Sequence, residues 1–287
     1  EEKHILPASQ LKVSELMAEL DILKIGGSVI TDKTKPLSVN VDVINNIATE
    51  MLSIKSRVVL VHGGGSFGHP LAKKYNLSEG IQNSNQVIGI AETHQAMLNL
   101  NKILMEIFIS KEIPVIPFSP HGIFLTRSGR IYIGFLEPIK KSLDVGMIPV
   151  LFGDTVHDVN QKIKILSGDQ LVSYLAAKLK ARRIIIGTDT DGIYTNDPKI
   201  DPKAQLIPEI TPLNYKDILR RLRSSSINNV IDVTGGMYGK IRELLRAARR
   251  GIDIYIINAK KPLNIKKLFE GKEILCTRFK GWKLEHK

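Results

Sequence analysis

The chain has 287 residues, 43% apolar and 24% charged, with a formal net charge of +12 and one cysteine. That length supports one large core or two lobes, and the composition is that of an ordinary globular protein. No apolar run reaches the roughly 18 residues that span a bilayer, the lone Cys276 excludes an internal disulfide, and the charged Glu1-Glu2-Lys3-His4 lacks an apolar signal core, so a reducing cytoplasm is the expected location.

Residues 1–20 read as an N-terminal extension with a weak amphipathic pattern on Leu11, Leu16 and Leu20. From Asp21 strands and helices alternate. Strands are predicted at 21–29, 57–62, 114–118, 148–153, 182–187, 252–257 and 273–278. Runs such as Ile184-Ile185-Ile186 suit strands buried on both faces. Helices are predicted at 40–55, 66–76, 86–111, 136–145, 168–181, 213–223, 237–250 and 263–270. Residues 122–134 and 154–166 read as two β-hairpins, the second turning near Asn160, and 188–212 as a long loop. The alternation predicts an α/β fold, a three-layer sandwich around a central, mostly parallel sheet.

The most informative segment is Val58-Val59-Leu60-Val61-His62-Gly63-Gly64-Gly65-Ser66-Phe67-Gly68-His69. An apolar strand that runs into glycines, with a helix behind them, presents bare backbone N–H groups to an anion, usually phosphate. His69 adds a donor whose charge varies near neutral pH. Asp21-Ile22-Leu23-Lys24-Ile25-Gly26-Gly27-Ser28 repeats the idea with a lysine inside the strand. Such a lysine needs a partner or a ligand.

Two common readings of these glycines fail. Gly63-x-Gly65-x-x-Gly68 matches the dinucleotide fingerprint, but the acidic residue required about 20 positions on is missing from Ile81-Gln82-Asn83-Ser84-Asn85. Gly235-Gly236-Met237-Tyr238-Gly239-Lys240 is no Walker A, since Thr234 stands at the first glycine position and Ile241 replaces the magnesium-holding hydroxyl. What remains is four glycine turns, each near a lysine, which suits phosphoryl transfer between polyanions.

Taken together, Lys24-x-Gly26-Gly27-Ser28, His62-Gly63-Gly64-Gly65, Gly153-Asp154, Ser167-Gly168-Asp169, Thr188-Asp189-x-Asp191-Gly192-Ile193-Tyr194 and Asp232-Val233-Thr234-Gly235-Gly236-Met237 resemble the amino acid kinase superfamily, over residues 21–278. Gly26 to Lys33 and Gly65 to Pro70 look most like its isopentenyl phosphate kinase branch. The resemblance implies one kinase-like domain over 21–287, with an acceptor lobe at about 21–165 and a nucleotide lobe at about 166–287. It implies ATP, with Mg2+ carried by the nucleotide, and isopentenyl phosphate as acceptor.

Residue by residue, the resemblance puts Lys24 and Lys33 beside the transferring phosphoryl group and Gly26, Gly27 and Ser28 on the ATP phosphates. Gly64 and Gly65 lie between donor and acceptor, and His69 and Gly168 hold the acceptor phosphate. Asp154 would orient the lysines. Asp189, Gly192, Tyr194, Gly235, Gly236 and Lys240 line the nucleotide side. Phe152 departs from the family, where a polar residue often precedes Gly-Asp.

An apolar acceptor tail needs a dry pocket. Ile90, Thr93, His94 and Met97 share one helix face and are its candidates. His62 reads as structural, and His94, His121 and His157 lack metal-ligand spacing, so no protein metal site is expected. Rival readings are another kinase of this fold, of the fosfomycin, glutamate or uridylate type, or a basic RNA-binding protein on a kinase scaffold. Aromatics make up 6% and do not interleave with the densest basic groups, Arg220, Arg221, Arg223 and Lys240, Arg242, Arg246, Arg249, Arg250, so no nucleic-acid platform is expected. No membrane partner is expected either; a homodimer is.

Overall fold

A computed structural model describes residues 19–32, 34–226 and 236–282. The expected extension, apart from its last two residues, together with Lys33 and Gly235, falls outside the described residues.

The first half runs β1 (Leu20–Ile25), α1 (Gly27–Ile30), α2 (Val41–Met51), β2 (Arg57–His62), α3 (Gly65–Lys74), α4 (Ser84–Ile109), β3 (Val115–Pro117), α5 (Pro120–Ile123), β4 (Phe124–Arg127), β5 (Arg130–Gly134), α6 (Glu137–Asp144), β6 (Ile148–Phe152), β7 (Asp154–Asp158) and β8 (Lys162–Leu166). The second half runs α7 (Gly168–Lys178), β9 (Arg183–Thr188), β10 (Ile193–Tyr194), β11 (Leu206–Ile207), β12 (Glu209–Ile210), α8 (Tyr215–Ser226), α9 (Gly236–Ala248), β13 (Asp253–Asn258), α10 (Asn264–Phe269) and β14 (Cys276–Phe279).

An eight-stranded sheet in the order β12-β14-β13-β9-β1-β2-β6-β3 forms the middle layer. Its six strands from β13 to β3 are parallel, and only the β13–β14 pair is antiparallel. Alternate residues of each strand enter different cores. Ile22, Val59, Val61, Ile184 and Ile186 meet Leu171, Leu175, Ile241 and Leu244 on one face. Leu23, Ile25, Leu60, Ile185 and Ile257 meet Ile44, Ile47, Leu100, Leu104 and Phe108 on the other. Burial on both faces is why these strands read as continuous apolar runs. The α/β three-layer sandwich is the architecture present.

Three local differences from the sequence reading have physical causes. The first strand stops at Ile25, not residue 29: Gly26 N–H makes a last bond to β9, on Gly187 O at 2.8 Å, and Gly27–Ile30 then closes a helical turn. The long helix starts at Ser84 rather than 86, fixed by a reciprocal capping box between Asn83 and Gln86. The 188–212 loop holds the short strands β10 to β12, β10 pairing with β11 and β12 with β14.

The two hairpins are present and share a four-stranded sheet, β5-β4-β7-β8. Ser128 and Gly129 turn the first with φ of 49° and 75°, the signature of a type I′ turn. Asp158 joins the two. Its carboxylate accepts from Thr126 Oγ1 at 2.8 Å and Gly129 N at 2.7 Å. Burial alone would raise its pKa, but these donors and the Asn160 and Gln161 amides hold it at about 2.

Candidate functional site

The parallel strands deliver their C-terminal ends to one edge, where open α/β sheets bind ligands. There the first two glycine turns interlock. A side chain on Gly27 would lie 2.2 Å from Gly65 N, and one on Gly63 would lie 2.5 Å from Gly27 N. Gly65 also has a φ of +48°, a conformation that favours glycine. The glycines thus bring backbone N–H groups from two strand ends to one place.

Lys24 emerges from β1 beside this junction, 5% exposed. Its Nζ donates to Asp169 Oδ1 at 2.7 Å, while Lys240 Nζ, from α9, reaches Asp169 Oδ2 at 3.0 Å. Burial pulls the Lys24 pKa down to about 8, Asp169 opposes this, and the Lys240 charge adds to it. Burial alone would raise the Asp169 pKa, but the two ammonium groups overcome it and hold the carboxyl far below the usual range. One buried carboxylate therefore gathers two cations at the glycine junction.

Ser167 caps α7, its hydroxyl accepting from Gln170 N at 3.2 Å. Gly168, the first residue of that helix, lies against Lys24; a side chain there would come 2.9 Å from Lys24 Cε. Ser28 Oγ donates to Asp189 Oδ1 at 3.1 Å, and Lys199 pairs with the other oxygen. Asp191 pairs with Lys261 at 2.7 Å beneath Tyr194. Gly192 is pressed against β14, where a side chain would meet Thr277 Oγ1 at 2.4 Å.

The structure thus brings together Lys24, Gly26, Gly27, Ser28, Gly64, Gly65, Gly168, Asp189 and Lys240 around one strand edge. His69 is half-buried on α3, one residue after Gly68. Asp154, expected to orient the lysines, is bonded to neither in this structure; both lysines are on Asp169. Asp154 is 2% exposed, and its carboxylate is taken by His94 Nδ1 at 2.8 Å and by its neighbour's amide, Thr155 N, at 2.8 Å. The cause is direction: β7 carries Asp154 toward α4, whereas Asp169 sits in the first turn of α7, beside Lys24. Ser167-Gly168-Asp169 at a helix start and the lysine inside β1 are the signals the sequence holds, but they do not choose between Asp154 and Asp169.

The expected tail face of α4 divides. Ile90 packs with Leu77 and Ile163 in a small apolar cluster, Thr93 is buried with its hydroxyl on Gly89 O at 2.7 Å, and Met97 lies under the glycine turn. Side chains on Gly64 and Gly68 would meet Met97 Sδ at 3.0 and 2.8 Å. Phe152 faces the core, stacked on His62 at 5.3 Å. His62 is fully buried with Nε2 at 3.2 Å from Asn101 Oδ1, and burial lowers its pKa to about 4.

Sequence spacing gave no hint of one cluster. His94, His121 and His157 come from α4, α5 and β7, yet their rings approach in a row, with centroids 5.1 and 4.9 Å apart. Among the described residues no group of three His, Cys, Asp or Glu is arranged to hold a metal ion.

Known proteins resemble the chain over most of its length. An isopentenyl phosphate kinase of Methanothermobacter thermautotrophicus is 38% identical over 268 residues, covering 91% of this chain and 98% of that protein. One of Methanocaldococcus jannaschii is 36% identical, covering 88% and 95%. An X-ray structure of an isopentenyl phosphate kinase superposes with a TM-score of 0.79 at 35% identity, covering 91% of this chain and 99% of that one. The sequence pattern of the Amino acid kinase family matches residues 20–258, from the first residue of β1 to the last of β13, and the chain belongs to that family.

Proposed function

We propose that this chain transfers the γ-phosphoryl group of ATP to isopentenyl phosphate, giving isopentenyl diphosphate. One observation carries the phosphoryl-transfer reading: Lys24 and Lys240 converge on Asp169 beside two interlocked glycine turns. The acceptor is supported by relatives of that name that align over nearly their whole length.

A phosphomonoester has a second pKa near 6, so its attacking oxygen is already largely ionised at neutral pH and no general base is required. The difficulty is bringing two anions together. Lys24 and Lys240 supply charge that needs no reorganisation during reaction, because Asp169 has already placed it. Gly27, Ser28 and Gly65 offer donors to the ATP phosphates, and Gly26, whose N–H is held by Gly187 O, shapes their turn; Lys33 adds a cation for the transition state. Gly64, His69 and Gly168 receive the acceptor phosphate, and Ile90, Thr93 and Met97 its apolar tail. Asp189, Gly192, Tyr194, Gly235 and Gly236 serve the nucleotide. In this reading the residues before about 166 form the acceptor side and those after it the nucleotide side.

We assign Mg2+ to the phosphates of ATP, where it would neutralise charge, because the nearby carboxylates Asp169 and Asp189 are already paired with lysines. We also propose a cytoplasmic homodimer. No helix among the described residues is long and apolar enough to cross a membrane, and edge strand β5 and the residue after it expose Tyr132, Ile133 and Phe135. The basic excess is read as surface charge rather than a nucleic-acid site: Arg220 pairs with Asp217, Arg246 with Glu243, and Arg249 lies over Tyr215.

The test is ATP consumption with isopentenyl phosphate, glutamate, uridylate and fosfomycin as acceptors, using wild type and His69→Ala. Turnover is expected with isopentenyl phosphate. His69→Ala should lower its kcat/KM about ten- to a hundred-fold through loss of a charge-assisted hydrogen bond, with ATP affinity retained. Turnover only with a carboxylate acceptor overturns the reading.

A further inference from the structure

The pairing of His94 with Asp154 has no part in the chemistry above. Asp154 has a fully buried side chain, and its Oδ2 lies 2.8 Å from His94 Nδ1. The imidazole is 26% exposed, and no other described residue is bonded to its Nε2 edge. A carboxylate that grips Nδ1–H fixes the ring and aims Nε2 outward. The hydrogen bond also raises the His94 pKa, so the ring stays protonated further toward neutral pH.

Two sets of contacts place this ring beside the acceptor end of the site. The first runs through Gly153, which precedes Asp154 and packs on the start of α7; a side chain there would lie 3.4 Å from Gly168 N. The second runs through Met97, three residues after His94. Its sulfur fills the space left by Gly64 and by Gly68, the residue before His69. His69 and His94 therefore project from two helices that pack together at the Gly68–Met97 contact. His121 packs against His94 with ring centroids 5.1 Å apart, its own Nδ1 taken by Thr155 O at 2.7 Å. That bond leaves His94 as the imidazole hydrogen-bonded to Asp154.

We propose that His94, oriented by Asp154, is a second imidazole donor to the acceptor phosphate, acting with His69. The proposal rests on the phosphate-acceptor reading above. Two imidazoles suit a dianion that must be held against ATP, because each can supply a charge-assisted hydrogen bond. Asp154 is then a positioning residue, acting through His94 rather than on substrate.

Steady-state kinetics on the full chain test this, using His94→Ala, His94→Gln, Asp154→Asn and the His94→Ala/Asp154→Asn pair. KM for acceptor should rise about ten-fold in His94→Ala while KM for ATP stays within about two-fold. His94→Gln should recover part of the loss, since an amide still donates. Asp154→Asn should raise the acceptor KM in the wild-type background and add nothing once His94 is gone. An unchanged acceptor KM in His94→Ala, or equal rises in both KM values, overturns the proposal. Should Asp154→Asn fail to fold, the two His94 variants decide alone. The comparison uses whichever acceptor the wild type turns over. Loss of the isopentenyl phosphate reading is thus seen in the wild type, and loss of the His94 role only in the variants.

Discussion

Lys24 Nζ stands 2.7 Å from Asp169 Oδ1, in a bond that joins residues 145 positions apart in the chain. Lys240 Nζ reaches both oxygens, Oδ1 at 3.1 Å and Oδ2 at 3.0 Å. Removing the negative charge would leave two ammonium groups facing each other, one of them deeply buried. Asp169→Asn should therefore lower kcat by about a hundred-fold, the scale of one lost charge-assisted interaction in a desolvated site. It should also reduce stability, because a buried charge loses its partner. Kinetics and thermal melts check both. A kcat within about two-fold of wild type would mean that the lysines are organised some other way.

The same pairing sets a pH limit. Lys24 carries its charge below its pKa and loses it above, and burial has brought that pKa to about 8. The log of kcat/KM for ATP should therefore fall as pH rises through about 8. Bound ATP is an anion that favours the charged lysine, so the corresponding limb in kcat should lie at higher pH. A kcat/KM profile that stays flat to pH 10 contradicts this assignment.

The layers of the fold were legible because strands such as Ile184-Ile185-Ile186 are buried on both faces, which leaves a continuous apolar run in the chain. The glycine turns were legible for a related reason: only glycine permits the contact between Gly27 and Gly65. The choice of carboxylate for Lys24 was not. Asp154 and Asp169 each directly follow a glycine, one at the start of a strand and the other at the start of a helix. Only the directions of β7 and α7 decide which one meets the lysines. The histidine row was equally hidden, since His94, His121 and His157 lie on three separate elements and share no spacing.

His62 makes the fold sensitive to acid. Burial holds its pKa at about 4 in the folded chain, against 6.5 for an ordinary histidine. Between those values the unfolded chain binds a proton that the folded chain refuses. Stability should thus be fully present above about pH 6.5 and fall as pH drops toward 4, by up to about 3 kcal/mol from this group. Urea unfolding across that range should show the loss. In His62→Asn the pH slope should shrink by about one proton, even if stability at pH 7 is lower. An unaltered slope would place the acid sensitivity elsewhere.

Met97 offers a test of the acceptor tail. Its sulfur lies under Gly64 and Gly68, so shortening it opens space directly behind the proposed acceptor phosphate. It is 1% exposed and belongs to the core on its side of the sheet, so Met97→Ala should also cost about 2–5 kcal/mol of stability. If that space continues the tail pocket, a longer prenyl phosphate should gain relative to isopentenyl phosphate. Each additional buried methylene contributes about 0.8 kcal/mol, so a five-carbon extension that is only partly buried should still shift the ratio of kcat/KM values by about ten-fold. Competition between isopentenyl phosphate and geranyl phosphate, in wild type and Met97→Ala, measures the ratio directly. An equal loss for both substrates would make Met97 a core residue that supports the glycine turn and has no part in choosing the acceptor.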